Sequence, residues 1–180
     1  MDKVRLSKFL SLVLRHEPEK IGLRLDPAGW VGVEELIAKA AAAGKRFDRD
    51  QLLEVVATSD KKRFTLSADG CSIRAAQGHS VAVELGLAPR EPPDVLFHGT
   101  ATRFVAAILA EGLKPQGRLQ VHLSADEATA RAVGQRHGKP HIFRVDSAAM
   151  HARGLRFFQA DNGVWLTDAV PPEFLSPLSR

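Results

Sequence analysis

Among its 180 residues the chain has one cysteine, Cys71. That scarcity excludes an internal disulfide and any multi-cysteine zinc site, and it fits a reducing compartment. With no partner motif beside it, Cys71 is expected to be a small core residue and not a nucleophile. Long apolar runs are lacking as well. No stretch approaches the roughly 20 residues that a membrane helix requires, and the amino terminus has no charged-then-apolar signal pattern, so a cytoplasmic protein is expected. The phosphate-binding loop, the dinucleotide glycine fingerprint and the Gly-Xaa-Ser-Xaa-Gly elbow are all missing. His137 and His141 stand four apart, but Gly138 and Pro140 between them spoil a helical metal pair and no carboxylate is placed to help, so no metal site is expected. Nor is charge strongly asymmetric. The net charge is +4, with 14 Lys+Arg against 11 Asp+Glu in residues 1 to 75 and 11 against 10 thereafter, a balance that permits a phosphate-rich partner without requiring one.

What is present suits one ordinary domain or two small ones. Asp2 is placed to cap a helix whose apolar positions Leu6, Phe9, Leu10, Val13 and Leu14 recur at three- and four-residue spacing, and Pro18 ends it near Arg15-His16-Glu17. Arg15 and His16 thus fall on its last turn. Cations there complement the helix dipole, and the same pair side by side would make a phosphate-binding corner. Leu23-Arg24-Leu25 and Trp30-Val31 flank the turn Asp26-Pro27-Ala28-Gly29 and are expected to be two short extended pieces. A second helix is expected over 33–43, stopping at Gly44, and Asp48 with Gln51 forms a capping-box pattern for a third helix reaching about Thr58. Alternation in Arg63-Phe64-Thr65-Leu66 and Cys71-Ser72-Ile73-Arg74 around a turn predicts a hairpin, with Phe64 and Leu66 inward and Arg63 and Thr65 outward beside Lys61 and Lys62. Helices followed by a hairpin suggest a winged-helix unit.

The segment Arg74 to Ser80, which includes Gln77, Gly78 and His79, reads either as an inert linker or as a ligand-touching hinge. Beyond the prolines at 89, 92 and 93, Val95-Leu96-Phe97-His98-Gly99-Thr100 reads as a buried strand ending in residues suited to a ligand: Gly for close backbone approach, His for a ring nitrogen, Thr for a hydroxyl. A helix over 104–111 stops at Gly112. Gln120 to Ser124 alternates as a strand with Gln120, His122 and Ser124 on one face, just after Arg118, and Ser124 with Glu127 is expected to cap a helix running to about Arg136. Extended segments follow at 141–145, 155–159 and 164–167, the last two joined by Asp161-Asn162-Gly163, whose Asn-Gly pair favours a tight hairpin.

Leu14-Arg15-His16, Lys62-Arg63-Phe64, the Arg74–Ser80 stretch, Leu96 to Thr100, and Arg118 ahead of Val121-His122-Leu123-Ser124 occur in an order that resembles the RNA 2'-phosphotransferase family, also called tRNA 2'-phosphotransferases. The resemblance spans Leu6 to about Thr167. It implies an α+β protein: a winged-helix RNA- and phosphate-binding lobe over residues 1–75, a linker over 76–94, and an ADP-ribosyltransferase-like NAD-binding lobe over 95–180 with antiparallel-rich sheets. It implies a transferase that uses NAD as co-substrate to remove an internal RNA 2'-phosphate. The 2'-phosphate attacks the nicotinamide-bearing ribose carbon and expels nicotinamide. The 2''-hydroxyl of the transferred ribose then attacks phosphorus, releasing RNA 2'-OH and ADP-ribose 1'',2''-cyclic phosphate. Carried over by position, the catalytic set is Arg15, His16, Arg63 and Arg118; His98, Gly99, Thr100, His122 and Ser124 bind NAD; and Arg74, Gln77, Gly78, His79 and Ser80 bind RNA. A monomer without membrane attachment is expected.

Many protein-modifying members of the ADP-ribosyltransferase fold carry a catalytic Glu where this chain has Gly163-Val164-Trp165-Leu166-Thr167, and the missing acid counts against protein ADP-ribosylation. Two other readings share some of these features. A transferase that ADP-ribosylates terminal RNA or DNA phosphates and stops after the first step would carry the same motifs. A non-enzymatic winged-helix regulator that senses a nucleotide would explain the wing charges but would leave Arg118 and His98-Gly99-Thr100 without a purpose.

Overall fold

In the computed structural model, which describes Met1 to Leu178, Asp2 accepts a hydrogen bond from the Arg5 amide at 2.9 Å and starts helix α1, Lys3–Arg15. This satisfies one of the free amides at a helix start. Leu6, Leu10, Val13 and Leu14 form its fully buried stripe, and the chain turns at Pro18 as the spacing predicts. Strand β1 (Val31–Gly32), helix α2 (Val33–Ala42) and helix α3 (Arg49–Thr58) follow, the last opened by a reciprocal capping box between Asp48 and Gln51. Strands β2 (Phe64–Leu66) and β3 (Ser72–Ala75) form the expected antiparallel hairpin, and β3 also pairs with β1, giving a three-stranded order β1-β3-β2. Phe64 and Ile73 enter the core of the helices, while Thr65 and Arg74 are register partners on the other face.

Two expectations fail here. Leu23-Arg24-Leu25 is not a strand. Asp26 bonds through its amide to the Trp30 carbonyl and through its carboxylate to the amides of Ala28 and Trp30, closing the turn locally, and β1 takes β3 as partner instead. Cys71 is exposed on the hairpin turn and does not fill the core.

The chain divides into two compact units, Met1–Gly86 and Leu87–Arg180. The division falls inside the stretch read as linker, and the amides of Ala76, Ser80 and Val81 bond back into the first unit. In the second unit β4 (Leu96–Ala101) leads through a short turn to α4 (Val105–Glu111), then β5 (Val121–Leu123), α5 (Glu127–Gly134), β6 (Pro140–Val145), α6 (Ser147–Ala152), β7 (Phe158–Gln159), β8 (Trp165–Thr167) and β9 (Leu175–Pro177). Every named pairing is antiparallel, in two sheets ordered β4-β6-β9 and β5-β8-β7, and a backbone pair between Phe97 and Ser124 joins β4 to the end of β5. The chain is therefore mixed α and β with small antiparallel sheets. Leu96, Val145, Met150, Phe157 and Trp165 are among the buried side chains of this unit's core. The Asn162-Gly163 hairpin forms as expected, although Leu155 to Phe157 stay outside its strand.

The capping box at Ser124 is also overturned. Asp126 caps α5, accepting from the Thr129 amide at 2.7 Å and its hydroxyl at 2.9 Å, while the Ser124 backbone is committed to Phe97. Asp126 has two local donors, which hold its carboxyl below the usual range.

Candidate active site

In the first unit Arg15 ends α1 and His16 caps it. The Arg15 carbonyl, left without a helical partner, accepts the Ser80 amide at 2.9 Å and the Val81 amide at 3.3 Å. The His16 ring meets Ser80 as well, Nδ1 to Oγ at 2.9 Å. Gly78 reaches this position with φ of +91°, in the left-handed region, and a Cβ there would stand 3.6 Å from the Arg15 side chain. Four residues before Ser80, the Ala76 amide donates to the Arg63 carbonyl at 2.9 Å. One short segment therefore anchors both arginine backbones, with anchor points no more than about 14 Å apart along it.

The same segment is also stitched to its own unit. The Arg74 guanidinium lies 4.6 Å over the Trp30 ring, and its Nη1 donates to the carbonyls of Ala28 and Leu85 at 3.3 and 3.2 Å. His79 is 3% exposed, and its Nε2 lies where a Cβ on Gly29 would come within 3.4 Å. Burial first, then the cations Arg15, His16 and Arg74, lower its pKa to about 4, so it is a neutral imidazole at pH 7.

In the second unit His98 and Thr100 project from one face of β4, opposite Phe143 and His141 of β6. His98 Nδ1 lies 3.1 Å from the His122 carbonyl. A neutral ring donating there keeps Nε2 as an acceptor, and burial, only partly offset by that bond, lowers the His98 pKa. Arg118 Nη1 approaches His122 Nδ1 at 2.6 Å, so His122 accepts from the guanidinium through Nδ1 and carries its own proton on Nε2. Desolvation lowers the Arg118 pKa, but a guanidinium stays cationic at neutral pH. Arg118, His122 and His98 form one connected set.

The family model described as RNA 2'-phosphotransferase, Tpt1 / KptA family, matches residues 1–169, which takes in both clusters. The chain belongs to this family. It is 65% identical to a probable RNA 2'-phosphotransferase of Agrobacterium fabrum over 94% of this chain and 91% of that protein. Proteins of the same description from Pectobacterium carotovorum and Hahella chejuensis are 57% and 58% identical, over 94% and 96% of the chain and 92% of each relative.

In this RNA 2'-phosphotransferase family member, the residues expected to bind RNA separate by environment. Gly78 and Ser80 support the Arg15-His16 corner, Arg74 and His79 are used inside their unit, and the buried Gln77 Oε1 has no hydrogen-bond partner among the described residues. His79 is 3% exposed, and its Nε2, like that of His141, is buried with no hydrogen-bond partner among the described residues.

Gly99 also has a different cause from the one expected. A Cβ on it would lie 1.6 Å from the Ala130 carbonyl oxygen, so packing against helix α5 by itself requires glycine at this position. Ser124 serves as a backbone bridge. His141, dismissed as half of a failed metal pair, proves to be the register partner of Thr100, which the alternation of 140–145 could have suggested but the sequence could not have paired. Among the described residues no group of three or more His, Cys, Asp or Glu is placed to hold a metal ion, and no helix is long and apolar enough to cross a membrane.

Proposed function

We propose that the protein removes an internal 2'-phosphate from RNA in two steps, using NAD as co-substrate and passing through a 2'-phospho-ADP-ribosylated RNA. The family match over residues 1–169 carries this reading. The finer architecture proposed with it is a winged-helix first lobe and an ADP-ribosyltransferase-like second lobe. The three helices and hairpin of the first unit and the paired small sheets of the second support it.

The β4 face suits NAD. His141 Nε2 is buried with no hydrogen-bond partner among the described residues and sits beside Thr100, so this face has polar capacity to spare for ribose or phosphate. His98, Thr100 and His122 would hold the dinucleotide, with Gly99 and Ser124 shaping the backbone that presents them. NAD supplies an activated ribose carbon with nicotinamide as leaving group.

The residues of the chain do the rest. A phosphate monoester is already an anionic nucleophile near neutral pH, so the first step needs positioning more than a base, and Arg15 grips the 2'-phosphate. As the RNA ribose oxygen departs in the second step, charge grows on the phosphoryl oxygens, and the guanidiniums of Arg63 and Arg118 stabilise it. His16 moves the proton from the attacking 2''-hydroxyl.

An oligoribonucleotide with one internal 2'-phosphate, incubated with and without NAD and followed by mass spectrometry, tests the reading. NAD-dependent loss of phosphate with appearance of ADP-ribose cyclic phosphate is the expected result. Accumulation of ADP-ribosylated RNA would instead favour a transferase that stops halfway, and no change in either mixture would overturn the proposal.

A further inference from the structure

We infer that the second unit carries an RNA-docking surface where strand β4 ends, built from Arg103, Phe104, Arg136 and Lys139, which grips the backbone of the substrate RNA. That this RNA is the substrate rests on the two-step reading above; the surface itself rests on the geometry of one unit.

The β4–β6 pair ends at Ala101 opposite Pro140, and two connections meet there. The single-turn helix Thr102–Phe104 leaves β4, while the single-turn helix Gln135–His137 and the turn at Gly138 lead into β6. The two are tied together. The Thr102 amide donates to the Lys139 carbonyl at 3.0 Å, and Arg103 Nη1 lies where a Cβ on Gly138 would come within 3.7 Å. Arg103, Phe104, Arg136, His137 and Lys139 are all exposed.

Both connections run through stretches without acid: none of residues 95–110 and none of residues 128–145 is Asp or Glu. Exposed cations elsewhere in this unit are held by glutamates, Lys114 by Glu111, Arg131 by Glu127 and Arg153 by Glu173. Among the described residues Arg103, Arg136 and Lys139 have no such ion pair. They can meet a phosphate without first giving up an acid.

Solvation accounts for exposed cations, but not for the phenyl ring among them. Phe104 is 44% exposed, and the Arg103 guanidinium lies 4.7 Å over its ring. A nucleic-acid base can extend such a stack. An acidic protein segment would use the charges and leave the ring idle, whereas single-stranded RNA uses both. Arg103 follows Thr100 by three residues, about 10 Å of chain at most, so RNA held here is close to the β4 face proposed for NAD. Arg74, the cation of the stretch expected to bind RNA, is engaged by the Trp30 ring and the carbonyls of Ala28 and Leu85, which leaves backbone contacts to cations elsewhere.

The experiment uses the full chain as wild type, as the patch variant Arg103→Gln, Arg136→Gln, Lys139→Gln, as Phe104→Leu, and as a control variant Lys114→Gln, Arg131→Gln, Arg153→Gln with the same loss of charge. All the substituted side chains are exposed, so the fold should survive in each. Anisotropy of a labelled single-stranded oligoribonucleotide with one internal 2'-phosphate reads binding across a range of salt, without NAD. The patch variant should lose roughly tenfold or more in affinity at low salt, and its slope of log K against log salt should be shallower by about 2. The control should stay near wild type. Phe104→Leu should weaken binding roughly fivefold with its slope unchanged. NAD affinity, measured by calorimetry, should be the same in all four proteins.

Equal losses in the patch and control variants would reduce the effect to net charge and overturn the inference, as would a wild-type salt slope in the patch variant. Lost NAD affinity with RNA binding intact would assign the surface to the dinucleotide, which also overturns it. Phe104→Leu at wild-type affinity would remove the reason for choosing single-stranded RNA over another polyanion, and the choice of partner would fall. Wild type that binds the RNA but leaves its 2'-phosphate in place when NAD is added would defeat the proposed function, and the salt slopes would still decide the surface.

Discussion

Gly78-His79-Ser80 and His98-Gly99-Thr100 are nearly the same three residue types in two orders, one set in each unit, and the structure uses them in opposite ways. In the first, glycine is needed for its backbone angle, φ +91°, and a Cβ would find ordinary contact at 3.6 Å. In the second, glycine lies in an ordinary strand, and it is space that forbids a side chain, with the Ala130 carbonyl oxygen 1.6 Å from where Cβ would be. The histidines trade places too. His79 is sealed in the interior and Ser80 makes the contact with His16, whereas His98 stays half-buried and it is Thr100 that is buried. A motif's letters name its chemistry, but the backbone beneath decides which letter is presented and which is enclosed.

Substitutions can break or sharpen this contrast. Gly99→Ala should have the largest effect, because the obstructing atoms belong to helix backbone and cannot swing aside; a loss of about 3 kcal/mol or more is expected. Urea unfolding measures it, and a wild-type midpoint would show that the contact with α5 yields. His79 should come next. Its folded pKa of about 4 lies below the ordinary 6.5, so the unfolded chain binds a proton that the folded one refuses. Its stabilising contribution is thus complete above pH 6.5 and is lost as pH falls towards 4, by up to about 3 kcal/mol in all. Replacing His79 with Leu should flatten the stability profile across that window; a slope equal to wild type would mean that His79 protonates without penalty in the folded state.

Gly78→Ala should cost only about 1 kcal/mol, from backbone strain alone. If its melting temperature fell as far as that of Gly99→Ala, the distinction between angle and space would be lost. The smallest effect concerns the entry to α5: Asp126→Ala should lose about 1 kcal/mol of stability and Ser124→Ala close to none, and reversed values would restore the serine as cap.

Local chemistry was legible in the sequence. The α1 stripe, the capping box of Asp48 and Gln51, the Phe64–Ala75 hairpin and the Asn162-Gly163 turn each depend on residues within a few positions of one another. Long-range pairing was not legible. Nothing near Leu23 says that β1 will take β3, and helix α6, capped by Asp146, and strand β9 lacked a pattern strong enough to be expected. The site divided in the same way. Arg15, His16, Arg63, His98, Arg118 and His122 were visible as chemistry-bearing types, while the 64-residue reach of Ser80 to His16 and the pairing of His141 with Thr100 depend on tertiary structure. Ser124 misled because both it and Asp126 satisfy the composition of a helix cap, and only the backbone angle at Asp126 and its two bonds to Thr129 choose between them.

The two-step account is tested most directly by a rapid-quench single turnover of wild type and Arg118→Ala on 2'-phosphorylated RNA with NAD, resolving substrate, ADP-ribosylated RNA and dephosphorylated RNA. Arg118 is exposed, so its removal should leave the fold intact. As a transition-state contact of the second step, its loss should slow that step roughly 10²-fold or more, and the ADP-ribosylated RNA should accumulate. A variant that releases dephosphorylated RNA at the wild-type rate, or that slows without any build-up of ADP-ribosylated RNA, would contradict the account.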